Sequence, residues 1–221
     1  MLEILQPSLH VRCFTEVPVY WLLDGGFKAL SLDVDKTFMG QHRTELTTEM
    51  QEKFIELDES NLRIALTSNA PKQHRHERVA DIGMRIGRLI HSEVVISTSF
   101  KLSAPGKPHR ALFDNAEAEL GVPREYICHV GDQILKDVYG ANKAGYGRTV
   151  LVAPYGEGDH LGVKYVQRPL EAIIRPTIGL PFLTKNFPER PNYFINNATI
   201  RPDELHEGAE PAVQTWPNSI V

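Results

Sequence analysis

The stretch "FKALSLDVDKTFMG", residues 27–40, begins as an apolar run and ends on two carboxylates, Asp33 and Asp35, with Thr37 just beyond. Like charges at a strand end repel one another and are costly to desolvate, so the pair asks for a cation close by. Four further short runs share the strand character of 27–32: "LRIAL" (62–66), "SEVVIST" (92–98), "EYICHV" (125–130) and "RTVLVA" (148–153). The segments between them carry a helical period. Leu46, Met50, Phe54 and Leu57 fall three or four apart, as do Val79, Ile82, Ile86 and Leu89. Leu112 or Phe113 with Ala116 and Leu120, and Leu135 with Val138 and Ala141, repeat the pattern, with Gly121 and Gly145 as stops. This alternation predicts an α/β fold of three layers: a mostly parallel five-stranded sheet with helices on both faces. Right-handed crossovers then bring the C-terminal ends of the strands to one edge, where ligands bind in such sheets.

The 221 residues suffice for one generous domain able to bury a core without staples. The expected organisation is an N-terminal arm (1–26), a core (27–155), an extension of that core (156–184) and a peripheral or partly disordered tail (185–221). A net charge of −4 and the lack of a basic block argue against a nucleic-acid partner. The nearest approach, "KQHRHER" (72–78), reads as a solvated helix face, and His74, His76 and His91 lack metal-ligand spacing. Cys13 and Cys128 form no zinc spacing, and Cys128 sits in a strand as a small apolar side chain, which suits a reducing, cytoplasmic setting. The N-terminus lacks the pattern of a secretory signal, and no apolar run is long enough to cross a membrane.

Each predicted strand end delivers a chemical group to the shared edge. The first gives Asp33 and Asp35; the second, "LTSNA", gives Thr67, Ser68 and Asn69. After the third comes "APGKPHRALF" with Lys107, and after the fourth "GDQILKDV" with Asp132 and Asp137. Carboxylates gathered so closely favour a hard divalent cation with oxygen ligands, Mg²⁺ rather than zinc. "DVDKT", "TSN", "GKP" and "GDQILKD", in this order and spacing, resemble the four motifs of the haloacid dehalogenase (HAD) superfamily, over roughly residues 27–153. "HVGDQILKDVYGANKAGYGRTVLVAP" (129–154) is similar to the signature of the YqeG-type phosphatases, related to mitochondrial phosphatidylglycerophosphatases. Lys36 and Lys136 depart from that signature, where Asn and Thr are more frequent.

The resemblance implies a Rossmann-like core and a Mg²⁺-dependent phosphatase. Asp33 would be the nucleophile that becomes an aspartyl-phosphate, and Asp35 the general acid and base. Lys107 would act in catalysis and phosphate binding. Asp33, Asp132 and the Asp35 main-chain carbonyl would hold the metal, with Asp137 supporting. Ser68, Asn69 and Thr37 fall at substrate-binding positions, Thr37 also suiting a purely structural role. Thr67 competes with Ser68, and Lys101 with Lys107. His129 is read as core packing, and Asn142 and Lys143 as helix-surface or capping residues. The intervals 38–61 and 70–92 leave no room for an inserted cap domain, which suits a bulky phosphorylated substrate, a lipid such as phosphatidylglycerophosphate included, and peripheral membrane contact. The alternatives are a nucleotide or sugar phosphatase, and a HAD shell kept as a non-catalytic scaffold.

Overall fold

The computed structural model describes residues 2–156, 162–180, 192–195 and 198–200. The parallel strands are β1 (Leu9–Val11), β2 (Ala29–Leu32), β3 (Arg63–Ser68), β4 (Val94–Thr98), β5 (Ile127–Gly131) and β6 (Arg148–Val152), and β7 (Asn192–Ile195) with β8 (Ala198–Ile200) forms an antiparallel hairpin at the edge. The order is β4-β3-β2-β5-β6-β1-β7-β8. The five expected strands are thus joined by a sixth parallel one from the N-terminal arm, paired with β6 through Leu9 and Val150. At three residues, with a histidine in its middle, β1 falls below the length at which alternation can be read. Of the tail assigned to 185–221, all but 192–195 and 198–200 lies outside the described residues.

Helices α1 (Val19–Asp24), α2 (Thr48–Glu59), α3 (Gln73–Gly87), α4 (Ser99–Leu102), α5 (Ala111–Leu120), α6 (Tyr139–Ala144) and α7 (Arg168–Thr177) cover the sheet. The Thr47 hydroxyl accepts from Met50 N at 3.4 Å and caps α2, so that helix starts at Thr48 although its apolar period begins with Leu46. Only a loop and α2 separate β2 from β3, and only α3 stands between β3 and β4, so no cap domain is inserted. Every residue of β2 is buried, as a central parallel strand requires. Phe14 from the arm packs on Phe38 and Phe54 at centroid distances of 5.6 and 5.2 Å, which ties the arm to the loop that follows Asp33 and Asp35.

The strand order reverses between β2 and β5. β3 and β4 continue to one side and β6 to the other, which makes the β2/β5 junction the topological switch point. Asp33 and Asp132 are the residues that leave these two strands.

A second feature of the arm bears on stability. His10 is buried on β1 and accepts from Arg175 Nη2 of α7 at 3.1 Å, and burial together with Arg175 drops its pKa from 6.5 to about 3. The folded protein therefore keeps the imidazole neutral, and stability is complete above pH 6.5 and lost as pH falls from there towards about 3. Between pH 7 and pH 5 the unfolded chain alone takes up this proton, a loss of about 2 kcal/mol. His10→Gln, which keeps an acceptor for Arg175, is expected to remove that share of the acid sensitivity. Urea midpoints of both proteins at the two pH values measure it; equal losses would assign the sensitivity to other groups.

Candidate active site

At the end of β2 the chain stays paired for one more residue: Asp33 N donates to Val130 O of β5 at 2.9 Å. It then turns through Lys36, whose φ of +69° lies in the left-handed region that non-glycine residues avoid at a cost of roughly 1–2 kcal/mol. Three hydrogen bonds hold this turn. Lys36 N donates to Met39 O at 2.8 Å, Tyr155 N donates to Lys36 O at 2.6 Å, and the buried Lys36 ammonium donates to Gly156 O at 3.1 Å. Lys36 is thus a strap between this loop and the end of β6. Asp33 and Asp35 line the same cleft of about 530 Å³, together with Ser68, Asn69, Lys107 and Asp137. Asp132 and Thr37 are buried and do not line it. The Thr37 hydroxyl has no hydrogen-bond partner among the described residues.

Lys107 is at the centre. Its ammonium is fully enclosed, 2.7 Å from Asp33 Oδ1 and 2.6 Å from Asp137 Oδ1. Asn69 sets its backbone: the side-chain oxygen accepts from Lys107 N at 2.5 Å and the amide nitrogen donates to Lys107 O at 3.1 Å. Gly106 is required there, since a Cβ would lie 2.5 Å from Asn69 Oδ1. Gly131 has the parallel function before Asp132, where a Cβ would stand 2.3 Å from Asp137 Cγ. Asp137 also accepts from Gln133 N at 3.0 Å and from His129 Nε2 at 3.4 Å. An ionised carboxylate only accepts, so His129 carries its proton on Nε2. Its Nδ1 then takes the Ser31 hydroxyl proton at 2.9 Å, and Ser31 in turn accepts from Thr67 at 2.6 Å.

The electrostatics separate the three acids. Burial pushes Asp33 up to about 8, with Lys107 only partly offsetting it, and pushes Asp132 up to about 7 against Arg168. Burial opposes ionisation of Asp137 as well, but Lys107 and His129 outweigh it and hold that carboxyl below the usual range. Burial works to lower the Lys107 ammonium, and Asp137 and Asp33 more than reverse this. Asp33, Asp132 and Asp137 each offer one oxygen within 4.8 Å of the others, and Gln133 Oε1 is buried with no hydrogen-bond partner among the described residues. Lys107 engages Oδ1 of both Asp33 and Asp137, and Arg168 engages Asp132 Oδ2, so Asp33 Oδ2 and Asp132 Oδ1 remain for an ion, and an all-oxygen donor set fits a hard divalent cation.

Residues 104–169, which run from just before Lys107 to just beyond Arg168, match the family model described as HAD-hydrolase-like. The probable phosphatase YqeG of Bacillus subtilis (strain 168) is 28% identical over 153 residues, covering 69% of this chain and 80% of that protein. The chain is thus similar to the HAD-like hydrolases, most directly over residues 104–169. Among solved structures, an uncharacterized protein from Listeria monocytogenes serotype 4b aligns with TM-score 0.46 at 18% identity, covering 61% of this chain and 85% of that chain. A putative HAD-like phosphatase from Mesorhizobium loti aligns with TM-score 0.42 at 18% identity, covering 62% and 77%.

Several parts of the site differ from the sequence reading. His129 does pack edge-on against Phe113, at 5.2 Å between centroids, but it also contacts Asp137. Thr67 points to Ser31 and leaves the cleft to Ser68. Lys101 pairs with Glu119 on the surface at 2.8 Å, away from the acids. In "KQHRHER" the solvated face is incomplete: Lys72 and Arg75 line the cleft and Arg78 contacts Asp35 Oδ1. His76 meets Thr98 and His91 meets Asp58, so the three histidines form no cluster. Asn142 donates to Ile4 O at 2.9 Å and fastens the arm, while Lys143 lies over the Tyr139 ring. Lys136 lines the cleft. No motif pointed to Arg168, Glu171 and Arg175, three charged residues of α7 turned inward, with Arg168 on Asp132. Beyond contacts within the helix, they meet Asp132, Leu135 and His10, more than thirty residues away in sequence and beyond the reach of local periodicity.

Proposed function

We propose that the hydrolase is a Mg²⁺-dependent phosphatase that cleaves phosphomonoesters through a phosphoryl-aspartate at Asp33. The observation that carries this is the placement of Asp33 against Lys107 at the switch point, with Asp132 just past the end of the neighbouring strand. An Asp33 oxygen attacks phosphorus as the ester P–O bond breaks, and Lys107 offsets the repulsion between the two anions. Asp35 gives its proton to the departing alkoxide. Arg78 occupies Asp35 Oδ1, so Oδ2 is the oxygen for this transfer. Asp35 then takes a proton from water, whose oxygen attacks phosphorus as the bond to Asp33 breaks, releasing phosphate and restoring both carboxyls. Ser68 donates to a phosphoryl oxygen, and Asn69 acts through the Lys107 backbone it holds. Asp33, Asp132 and the Asp35 carbonyl would hold a Mg²⁺ ion, which would supply further charge neutralisation at the phosphoryl group.

For the substrate we favour a phosphorylated lipid, phosphatidylglycerophosphate being the specific candidate, reached at the cytoplasmic face of a membrane. Three features support this. Among the described residues no cap domain is inserted between β2 and β3 or between β3 and β4. Lys72, Arg75 and Lys136 give its lining a cationic side that suits an anionic surface. The turn leading into α7 lines the cleft through Val163 and Gln167, and beside it Tyr165, Val166, Leu170 and Ile173 present an apolar stripe to solvent, Ile173 being 70% exposed. No helix of the described residues is long and apolar enough to cross a membrane, so contact would be peripheral.

The test is hydrolysis of p-nitrophenyl phosphate with and without Mg²⁺, followed by a panel of lipid, sugar and nucleotide phosphates. Turnover that disappears with chelator, and kcat/KM on a lipid phosphate in mixed micelles about tenfold or more above that on sugar phosphates, is expected. The reverse preference would assign a small-molecule phosphatase. No turnover of any ester would leave a scaffold.

A further inference from the structure

We infer that Arg168 is a positioning residue for the metal site: it fixes the Asp132 carboxylate and makes cation binding depend on helix α7. This rests on the proposal that Asp132 binds Mg²⁺. Arg168 is the first residue of α7, and its guanidinium grips Asp132 at two points. Nη1 donates to the Asp132 main-chain oxygen at 3.0 Å, and Nη2 contacts side-chain Oδ2. Such a fork holds both the backbone and the carboxyl of one residue, which an ammonium on a flexible stem does less well.

Arg168 is itself held. Glu171, 1% exposed, accepts from Arg168 Nη1 at 3.1 Å through Oε2, while its Oε1 accepts from Leu135 N and from Gln167 Nε2, each at 3.3 Å. The set therefore bridges α7 to the turn carrying Asp132 and Asp137. With Oδ2 engaged, Asp132 Oδ1 meets, among the described residues, the Gln133 side-chain amide at 3.3 Å. That long contact leaves Oδ1 as the oxygen free to take a cation. Hydrogen bonds to a ligating carboxylate fix its orientation, and their loss typically weakens metal binding about 10- to 100-fold. A guanidinium that merely filled the metal position would do the opposite, since its removal would tighten binding.

The sign of the effect therefore decides. Calorimetric titration of the full chain with Mg²⁺ and with Mn²⁺ is compared between wild type and Arg168→Met, with thermal melting of the metal-free proteins as a check on folding. The expected result is a cation Kd raised about 10- to 100-fold in Arg168→Met. The Mg²⁺ concentration for half-maximal turnover rises in parallel, and KM for p-nitrophenyl phosphate at saturating Mg²⁺ stays within about twofold. Unchanged or tighter cation binding overturns the inference. If Arg168→Met does not fold, Arg168→Lys, which keeps the charge but not the fork, is read the same way, with binding weakened about tenfold expected and unchanged binding overturning. A wild-type protein that binds neither ion defeats the Mg²⁺ proposal itself, a different failure from wild-type binding that the substitution leaves untouched.

Discussion

Asp33→Asn is expected to lower kcat on p-nitrophenyl phosphate by about ten-thousand-fold or more, with the metal-free protein at least as stable as wild type. The two readouts come from one cause. Asp33 lies in a buried site where desolvation pushes its carboxyl up to about 8, so folding works against the ionised nucleophile. An amide of nearly the same shape removes both the nucleophilic oxyanion and the charge that burial penalises. Lys107 keeps Asp137, 2.6 Å away, and so is not left alone. Loss of turnover with retained or raised melting temperature separates a chemical role from a structural one, and such an exchange is what a destabilised active site leads one to expect. Retained turnover would remove Asp33 from the chemistry.

Lys107→Met is expected to be the most damaging single change to stability. Its ammonium is enclosed between Asp33 and Asp137, and removing one partner of a buried charge set leaves the others uncompensated, at a cost of about 3–5 kcal/mol. The loss has a pH signature. Asp33, already pushed up by burial, can shed its charge by taking a proton, whereas Asp137 is held ionised largely by Lys107 itself. Without the lysine both carboxyls gain by protonation, so the deficit relative to wild type narrows as pH falls from 8 to 5. Urea unfolding at the two pH values measures this, and Mg²⁺ is expected to restore part of the stability at pH 8. Midpoints that match wild type at both values would mean that the ammonium is not the counter-charge it is taken to be.

What could be read from the sequence follows from where the information sits. Asp33 and Asp132 were legible because each directly follows a strand whose apolar run is long enough to recognise, and Lys107 because it stands shortly before an amphipathic helix, α5, that follows another such strand; parallel topology brings these ends together. β1 was not legible, because three residues are too few for alternation and the strand matters only through its pairing with β6, some 140 positions away. Arg168, Glu171 and Arg175 were hidden for a related reason. On α7 the charged residues face the protein and Leu170 and Ile173 face solvent, so the usual rule that the apolar stripe marks the core points the wrong way. Arg175 is buried against His10 and Arg168 against Asp132, pairings that join distant segments and leave no local pattern. His129 was recognised as buried, but its contact with Asp137 depends on the turn after β5, where Gly131 lets Asp137 come back against the strand.

The most direct measurement is the stereochemical course at phosphorus, followed with a phosphomonoester made chiral by oxygen isotopes and hydrolysed by the wild-type protein in the presence of Mg²⁺. Each in-line displacement inverts the configuration, so transfer first to Asp33 and then to water returns it to the original hand. Net retention is the expected outcome. Net inversion would mean a single attack by water, with no phosphoryl group ever carried by Asp33.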